Sequence, residues 1–142
     1  MEVISWKHTY FKADAKKAYD EIYALKEVTA ENVVNLARNE NSEIHNDFEW
    51  NDSIAGEKSR LIQAGQMIRS FVIENKETNR EPIRAFEIST TPTVYKPIQM
   101  IIKQEDEYQN LLKRAKAEFK SMRKRYETLA ELESVFSAID DL

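Results

Sequence analysis

The feature that most constrains this sequence is a long apolar repeat in its last third. Apolar or small residues recur at alternating intervals of four and three: Tyr108, Leu112, Ala115, Phe119, Met122, Tyr126 and Leu129. An average interval of 3.5 residues is the heptad spacing of helices that pack along a seam. Leu132, Phe136 and Ile139 carry the stripe on to the end. The repeat predicts helix from about residue 104 onward, with an apolar seam that completes this chain's own core or contacts a partner.

Residues 71–103 have the composition of β-strands. Segments 71–73, 83–89 and 93–102 are rich in β-branched and aromatic residues, and polar or turn-forming stretches separate them. Pro97 has no N–H to donate, so its strand is expected at an edge or a bulge. Apolar residues also alternate from Ile4 to Tyr10, which is typical of a strand or an extended arm. We predict a small antiparallel sheet of three strands, and leave open whether the arm at residues 3–10 folds back onto it.

Residues 1–70 are predicted to be mainly helical. Asp14 is a candidate N-cap for a first helix ending near Glu27, and Thr29 for a second, shorter helix. The segment Glu43–Trp50 is expected to form a short helical turn that sends apolar side chains inward. A long third helix is predicted to begin at residue 51 or 52. Its expected inward face consists of Ile54, Lys58, Leu61, Gly65, Ile68 and Val72.

These patterns predict one α+β domain over residues 1–142: a helical N-terminal half, a small antiparallel three-stranded sheet and a long C-terminal heptad-patterned helix. A chain of 142 residues with 42% hydrophobic and 32% charged side chains is sufficient for a single core. No apolar stretch approaches the ~20 residues that cross a bilayer, and the first residues do not resemble a secretory signal. We therefore expect a cytoplasmic protein without membrane contact.

Charge is distributed unevenly along the chain. The formal net charge is −4, but residues 113–125 carry seven bases and one acid, and residues 126–142 carry five acids and no base. An acidic protein is a poor general binder of polyanions, although a compact basic segment can still make a local contact. The favoured interpretation is that these bases flank the seam and pair with acids. The candidate contacts to nucleic acid or a partner are Lys113, Lys116, Lys120, Arg123 and Lys124.

The N-terminal region offers a weaker nucleic-acid candidate. Segments 29–38 and 42–50 have the spacing of a helix-turn-helix, but the second places three carboxylates where a recognition helix needs donors to base edges. The predicted third helix is better equipped, with Lys58, Arg60, Gln63, Gln66 and Arg69.

Motifs for catalysis and cofactor binding are missing. Two glycines cannot supply a phosphate loop or a dinucleotide fingerprint, and without cysteine there is no thiolate ligand or nucleophile. His45 stands among Glu43, Asp47 and Glu49, but alternate positions of a helix point apart, so these side chains should not converge on a metal. The carboxylates at 105–107 and 140–141 are explained by the helix dipole and by solvation. We expect no enzyme activity, no cofactor and no metal.

A resemblance adds context to these patterns. It is carried by the string His45–Asp52, by Ile83–Phe86 and by Trp6-Lys7. Between the first two it rests on Ala55, Glu57, Lys58, Arg60, Gln63, Ala64, Ile68, Arg69 and Ser70. In the last third it rests on Phe119, Arg123, Lys124, Tyr126, Leu129, Glu131, Leu132, Val135, Phe136, Ala138 and Ile139. With these residues the chain resembles a family of small uncharacterised proteins encoded by phages and prophages of Gram-positive bacteria. Gly56 and Ser59 depart from that family, which more often has alanine and tyrosine there. The resemblance implies an intracellular viral accessory protein and transfers no site residue.

Two hypotheses for function follow. The first is a non-catalytic phage accessory protein that binds a host or phage protein as a modulator or inhibitor, alone or as a homo-oligomer. Its candidate contact or core seam is Tyr108, Leu112, Phe119, Met122, Tyr126 and Leu129. The second is a regulator that binds DNA or RNA through the basic C-terminal helix and the helical N-terminal region. The acidic net charge favours the first.

Overall fold

A computed structural model describes residues 2–142, and the predicted α+β class is confirmed. Its strands are β1 (Glu2–Trp6), β2 (Phe71–Asn75), β3 (Ile83–Arg84), β4 (Phe86–Ile88) and β5 (Tyr95–Pro97). Its helices are α1 (Ala15–Tyr23), α2 (Ala30–Ala37), α3 (Glu57–Ser70), α4 (Ile98–Lys103), α5 (Glu105–Arg125) and α6 (Glu133–Asp140). Short 3-10 turns lie at His45–Asp47 and Ala130–Leu132. No helix of the described residues is long and apolar enough to cross a bilayer.

The first two helices begin where the sequence predicts. The Asp14 carboxylate accepts from the backbone N–H of Lys17 at 3.0 Å, and the Thr29 hydroxyl accepts from that of Asn32 at 3.0 Å. These caps satisfy N–H groups that the first turn of a helix leaves unpaired. Helix α1 ends at Tyr23, earlier than predicted. The chain then continues to Val28, whose carbonyl accepts from the Tyr95 N–H at 2.7 Å.

The three-stranded antiparallel sheet has the order β1-β2-β3, so the N-terminal arm is an edge strand as far as Trp6. Ile4 lies opposite Ile73 in the register. The Trp6 ring stacks on Phe71 at a centroid distance of 4.3 Å, and its Nε1–H donates to a backbone carbonyl of residue 13. The arm therefore folds back, and residues 7–10 remain exposed.

The predictions for the other strands are only partly confirmed. Segment 83–89 is divided at Ala85, since Ile83–Arg84 pair with β2 whereas Phe86–Ile88 pair with β5 in a separate two-stranded ribbon. Segment 93–102 is a strand at Tyr95–Pro97 and then becomes helix α4. Pro97 cannot continue a ladder, and the isoleucines that follow also fit helical spacing.

The core lies between α1, α2 and α3 on one side and β1, β2 and β4 on the other. Its largest fully buried side chains are Phe71, Phe86, Ile22, Ile44, Met67, Ile68, Ile101, Val33 and Val34. Helix α3 begins after Gly56, later than predicted, so the first two positions of the predicted inward face are wrong, whereas Leu61, Gly65, Ile68 and Val72 do turn inward. Ile54 is 70% exposed, Lys58 is exposed, and the fully buried positions of α3 are Arg60, Ala64, Gly65, Met67 and Ile68.

The predicted apolar stripe of the last third does not lie on one continuous helix. Helix α5 ends at Arg125, the chain reverses, and α6 folds back against α5. Successive short-range bonds from the N–H groups of Tyr126, Leu129 and Leu132 form the reversal. Below, residues 2–103 are called the body and residues 105–142 the C-terminal hairpin.

Candidate functional site

The string His45–Asp52 is a structural unit of the body. His45 Nδ1 donates to the Ala37 carbonyl at 2.7 Å, and the His45 ring stacks on Trp50 at 5.2 Å. The Asp47 carboxylate accepts from the backbone N–H groups of Lys12 and Ala13, and Phe48 is buried. Among the described residues no three side chains of His, Asp or Glu are placed to share a metal ion.

Arg60 is a buried side chain that bonds to the chain between residues 49 and 55. It is 4% exposed, and its guanidinium lies 5.0 Å from the Trp50 ring. Nε donates to the Glu49 carbonyl at 2.8 Å, and Nη2 donates to the Ala55 carbonyl at 3.0 Å and to the Asp52 carboxylate. Arg60 is therefore removed from the predicted nucleic-acid face, while Lys58, Gln66 and Arg69 of the same helix remain exposed.

Glu107 joins the C-terminal hairpin to the body. Its carboxylate accepts from both the backbone N–H and the hydroxyl of Thr90, and lies 3.7 Å from Lys96 Nζ. Burial, which leaves Glu107 2% exposed, acts to raise its pKa. The Thr90 hydrogen bonds and the Lys96 charge outweigh it and hold the pKa of Glu107 below its ordinary value. Arg114 Nη2 donates to the Ile88 carbonyl at 2.5 Å and forms a second contact between α5 and the body.

The predicted basic candidates are divided between two surroundings. Lys113, Lys116 and Lys120 line one shallow groove of about 320 Å³ together with Gln109 and Leu112. Lys124 is exposed on α5 beyond this groove.

Arg123 instead faces α6. Its Nε lies 2.7 Å from Asp140 Oδ1, Nη2 donates to Oδ2 at 3.1 Å, and the guanidinium lies 5.0 Å from the Phe136 ring. Phe136 is buried. Through these contacts Arg123 links α6 to α5, and its guanidinium is engaged there and not free for a nucleic-acid contact.

The predicted seam leads into an apolar groove of about 330 Å³ between α5 and α6. Phe119, Met122 and Tyr126 line the groove. Tyr108 and Leu112 lie in the first turns of α5, before the groove, and Leu129 lies in the reversal. The remaining lining comes from Arg123, Leu132, Val135, Phe136, Ala138, Ile139 and Leu142. We call this set the hairpin groove. Its large apolar side chains other than Phe136 and Ile139, together with Leu129, are 37% to 52% exposed.

The groove is framed by charges of opposite sign. Its α5 side continues into the basic segment 113–125, and its α6 side belongs to the acidic segment 126–142. Arg123–Asp140 is the one ion pair between these segments in the described chain. The arrangement can accept a helix or hairpin that carries an apolar stripe with charges beside it.

No protein-family model matches this chain, and no curated protein or solved structure is significantly similar to it.

Proposed function

We propose that this protein is a non-catalytic binding factor whose protein-contact surface is the hairpin groove. The observation that carries the proposal is the cluster of large apolar side chains around the groove of the C-terminal hairpin, of which seven are between 37% and 52% exposed: Phe119, Met122, Tyr126, Leu129, Leu132, Val135 and Leu142. Monomeric proteins rarely leave a contiguous apolar patch of this kind uncovered, and such patches commonly mark protein contacts. The partner chemistry that fits is an amphipathic helix laid into the groove.

The resemblance to phage and prophage proteins places this activity, as a proposal, in the cytoplasm of a bacterial host. There the partner would be a host or phage protein, and the binding would modulate or inhibit it. The heptad seam supports the same proposal because heptad faces pack against helices in a coiled-coil manner.

Nucleic-acid binding is the second candidate, and one observation favours it. Lys113, Lys116 and Lys120 line a common groove, where they could follow a phosphate backbone. Against it, Arg60 is buried, the partly exposed Arg123 is paired with Asp140, and the net charge of −4 repels polyanions at long range.

The test is capture from host lysate on the immobilised protein, with and without nuclease. The groove variant is Met122→Glu, and its matched control is Ile54→Glu, an exposed apolar residue of the body. We expect a nuclease-resistant, stoichiometric protein that the control retains and Met122→Glu loses. Equal recovery by both variants would contradict the proposal. Nucleic acid that is lost when Lys113, Lys116 and Lys120 are changed to glutamate would favour the second candidate.

A further inference from the structure

The two helices that form the hairpin groove leave most of its apolar side chains uncovered. Helix α6 has eight residues and buries Phe136 alone, and isolated helices of that length are not stable in water. Two antiparallel helices bury only the strip along which they touch, and helical bundles complete such pairs with further helices. The described chain offers no other helix to this side, because α1, α2 and α3 contribute their buried faces to the core of the body, and α4, which packs against α5, supplies no residue to the groove.

We propose that a second copy of this chain covers the groove, with the two hairpins packed about a twofold axis. The inference rests on the proposed function, in that both assign protein contact to the groove, and it names the partner. A twofold contact requires a patch that is complementary to itself. Segment 113–125, with seven bases and one acid, and segment 126–142, with five acids and no base, supply such complementarity within one chain.

Few charged side chains within one copy are paired across the hairpin. Apart from Arg123–Asp140, no ion pair between side chains joins α5 to the segment 126–142 in the described residues, and Lys120 Nζ donates to the Leu142 carbonyl oxygen at 3.3 Å. When the hairpins pack antiparallel, α5 of one copy lies beside the acidic segment of the other. We expect Glu131 and Glu133 to face Lys113 and Lys116 of the other copy, and the two equivalent contacts to form together.

The extent of the surface also suits a dimer. A specific interface typically uses about 20–30 residues from each partner. The stretch from Tyr108 to Leu142 provides exposed apolar side chains along both α5 and the returning segment, with charged side chains at the rim. Apolar centres with polar rims are the usual anatomy of such contacts.

The experiment is sedimentation velocity on the full chain over a range of concentrations. The wild type is expected to reach twice the 16.7 kDa mass of the chain. Val135→Glu, at a 52% exposed groove position, should retain the helical circular-dichroism spectrum and weaken the dimer at least ~100-fold, since a carboxylate would enter an apolar contact. Ile54→Glu on the body should leave the dimer unchanged.

A charge-exchange pair tests the orientation. Variant A carries Lys113→Glu and Lys116→Glu, and variant B carries Glu131→Lys and Glu133→Lys. Each alone should weaken self-association, because like charges then meet at both contacts. Mixing A with B should restore a dimer, because each contact regains opposite charges.

A wild type that stays monomeric at the highest concentration that remains in solution would overturn the proposal. So would a dimer that Val135→Glu leaves intact, or a mixture of A and B that associates no better than either alone. The capture experiment is read separately: a monomer that still loses its partner with Met122→Glu retains the proposed function with a different occupant in the groove.

Discussion

The body and the C-terminal hairpin carry similar apolar stripes in sequence but bury them to very different extents. In the body, Ile22, Phe71 and Phe86 are fully enclosed between helices and strands. In the hairpin, Phe136 is enclosed, whereas Phe119 and Val135 are about half exposed. The body has a full second layer that faces each stripe, whereas in the hairpin only α5 and α6 face each other. Burial of a stripe is therefore set by the presence of an opposing layer and not by the stripe itself.

The strongest way to break this comparison is to remove one ring from each region. Phe71→Ala should lower the free energy of unfolding by about 3–5 kcal/mol, because it leaves a cavity in a closed core. Phe119→Ala should change it by less than about 1 kcal/mol at concentrations where the chain is monomeric. Urea unfolding followed by circular dichroism measures both. Comparable losses in the two variants would show that the hairpin is as well packed as the body.

The next largest effect is expected at Arg60. Arg60→Met keeps much of the side-chain volume but leaves the carbonyls of Glu49 and Ala55 without their buried donor, at a cost of about 2–3 kcal/mol. The same urea titration measures it. Lys58→Met, which removes a charge from an exposed position of the same helix, is the control and should stay within about 0.5 kcal/mol of the wild type. Equal effects would mean that the Arg60 hydrogen bonds contribute nothing net.

The smallest effect concerns the joint between the two regions. Because the folded pKa of Glu107 lies below its unfolded value of about 4.3, its contribution to stability is complete above that value and is lost as pH falls through the folded pKa. Glu107→Gln should therefore destabilise the protein by about 1 kcal/mol at neutral pH. The difference from wild type should shrink towards pH 3, and urea midpoints at several pH values measure it. A difference independent of pH would refute the assigned role of the charge.

Local signals in the sequence predicted much of the fold, and contacts between distant residues account for what it missed. The Asp14 and Thr29 side chains cap their helices by bonding to N–H groups three residues further on, so the sequence alone predicted both helix starts. The reversal after Arg125 was missed because no glycine or proline marks it and apolar residues recur through it at Tyr126, Leu129 and Leu132. The two successive intervals of three are the one departure from the heptad spacing at this point. The strand expected at 93–102 ends at Pro97 and gives way to a helix, because the isoleucines that follow fit either periodicity.

The candidate site was predictable to a similar degree. The heptad pattern selected Phe119, Met122 and Tyr126, which the fold brings to one groove. It could not show that Arg123 faces α6, since that depends on the chain folding back. Arg60 and Glu107 were missed as structural anchors because their partners lie in loops, and a charged residue in a helix is normally solvated.

The Glu107–Thr90 contact also has a mechanical consequence. Helix α5 has 21 residues and is therefore about 30 Å long; Glu107 and Arg114 anchor its first half to the body, while the groove lies near its other end. A tilt of about 10° at Arg114 would displace the far end, about 16 Å away, by roughly 3 Å. A change at the ribbon that holds Thr90 would thus be magnified at the groove, as small movements are at the end of a lever.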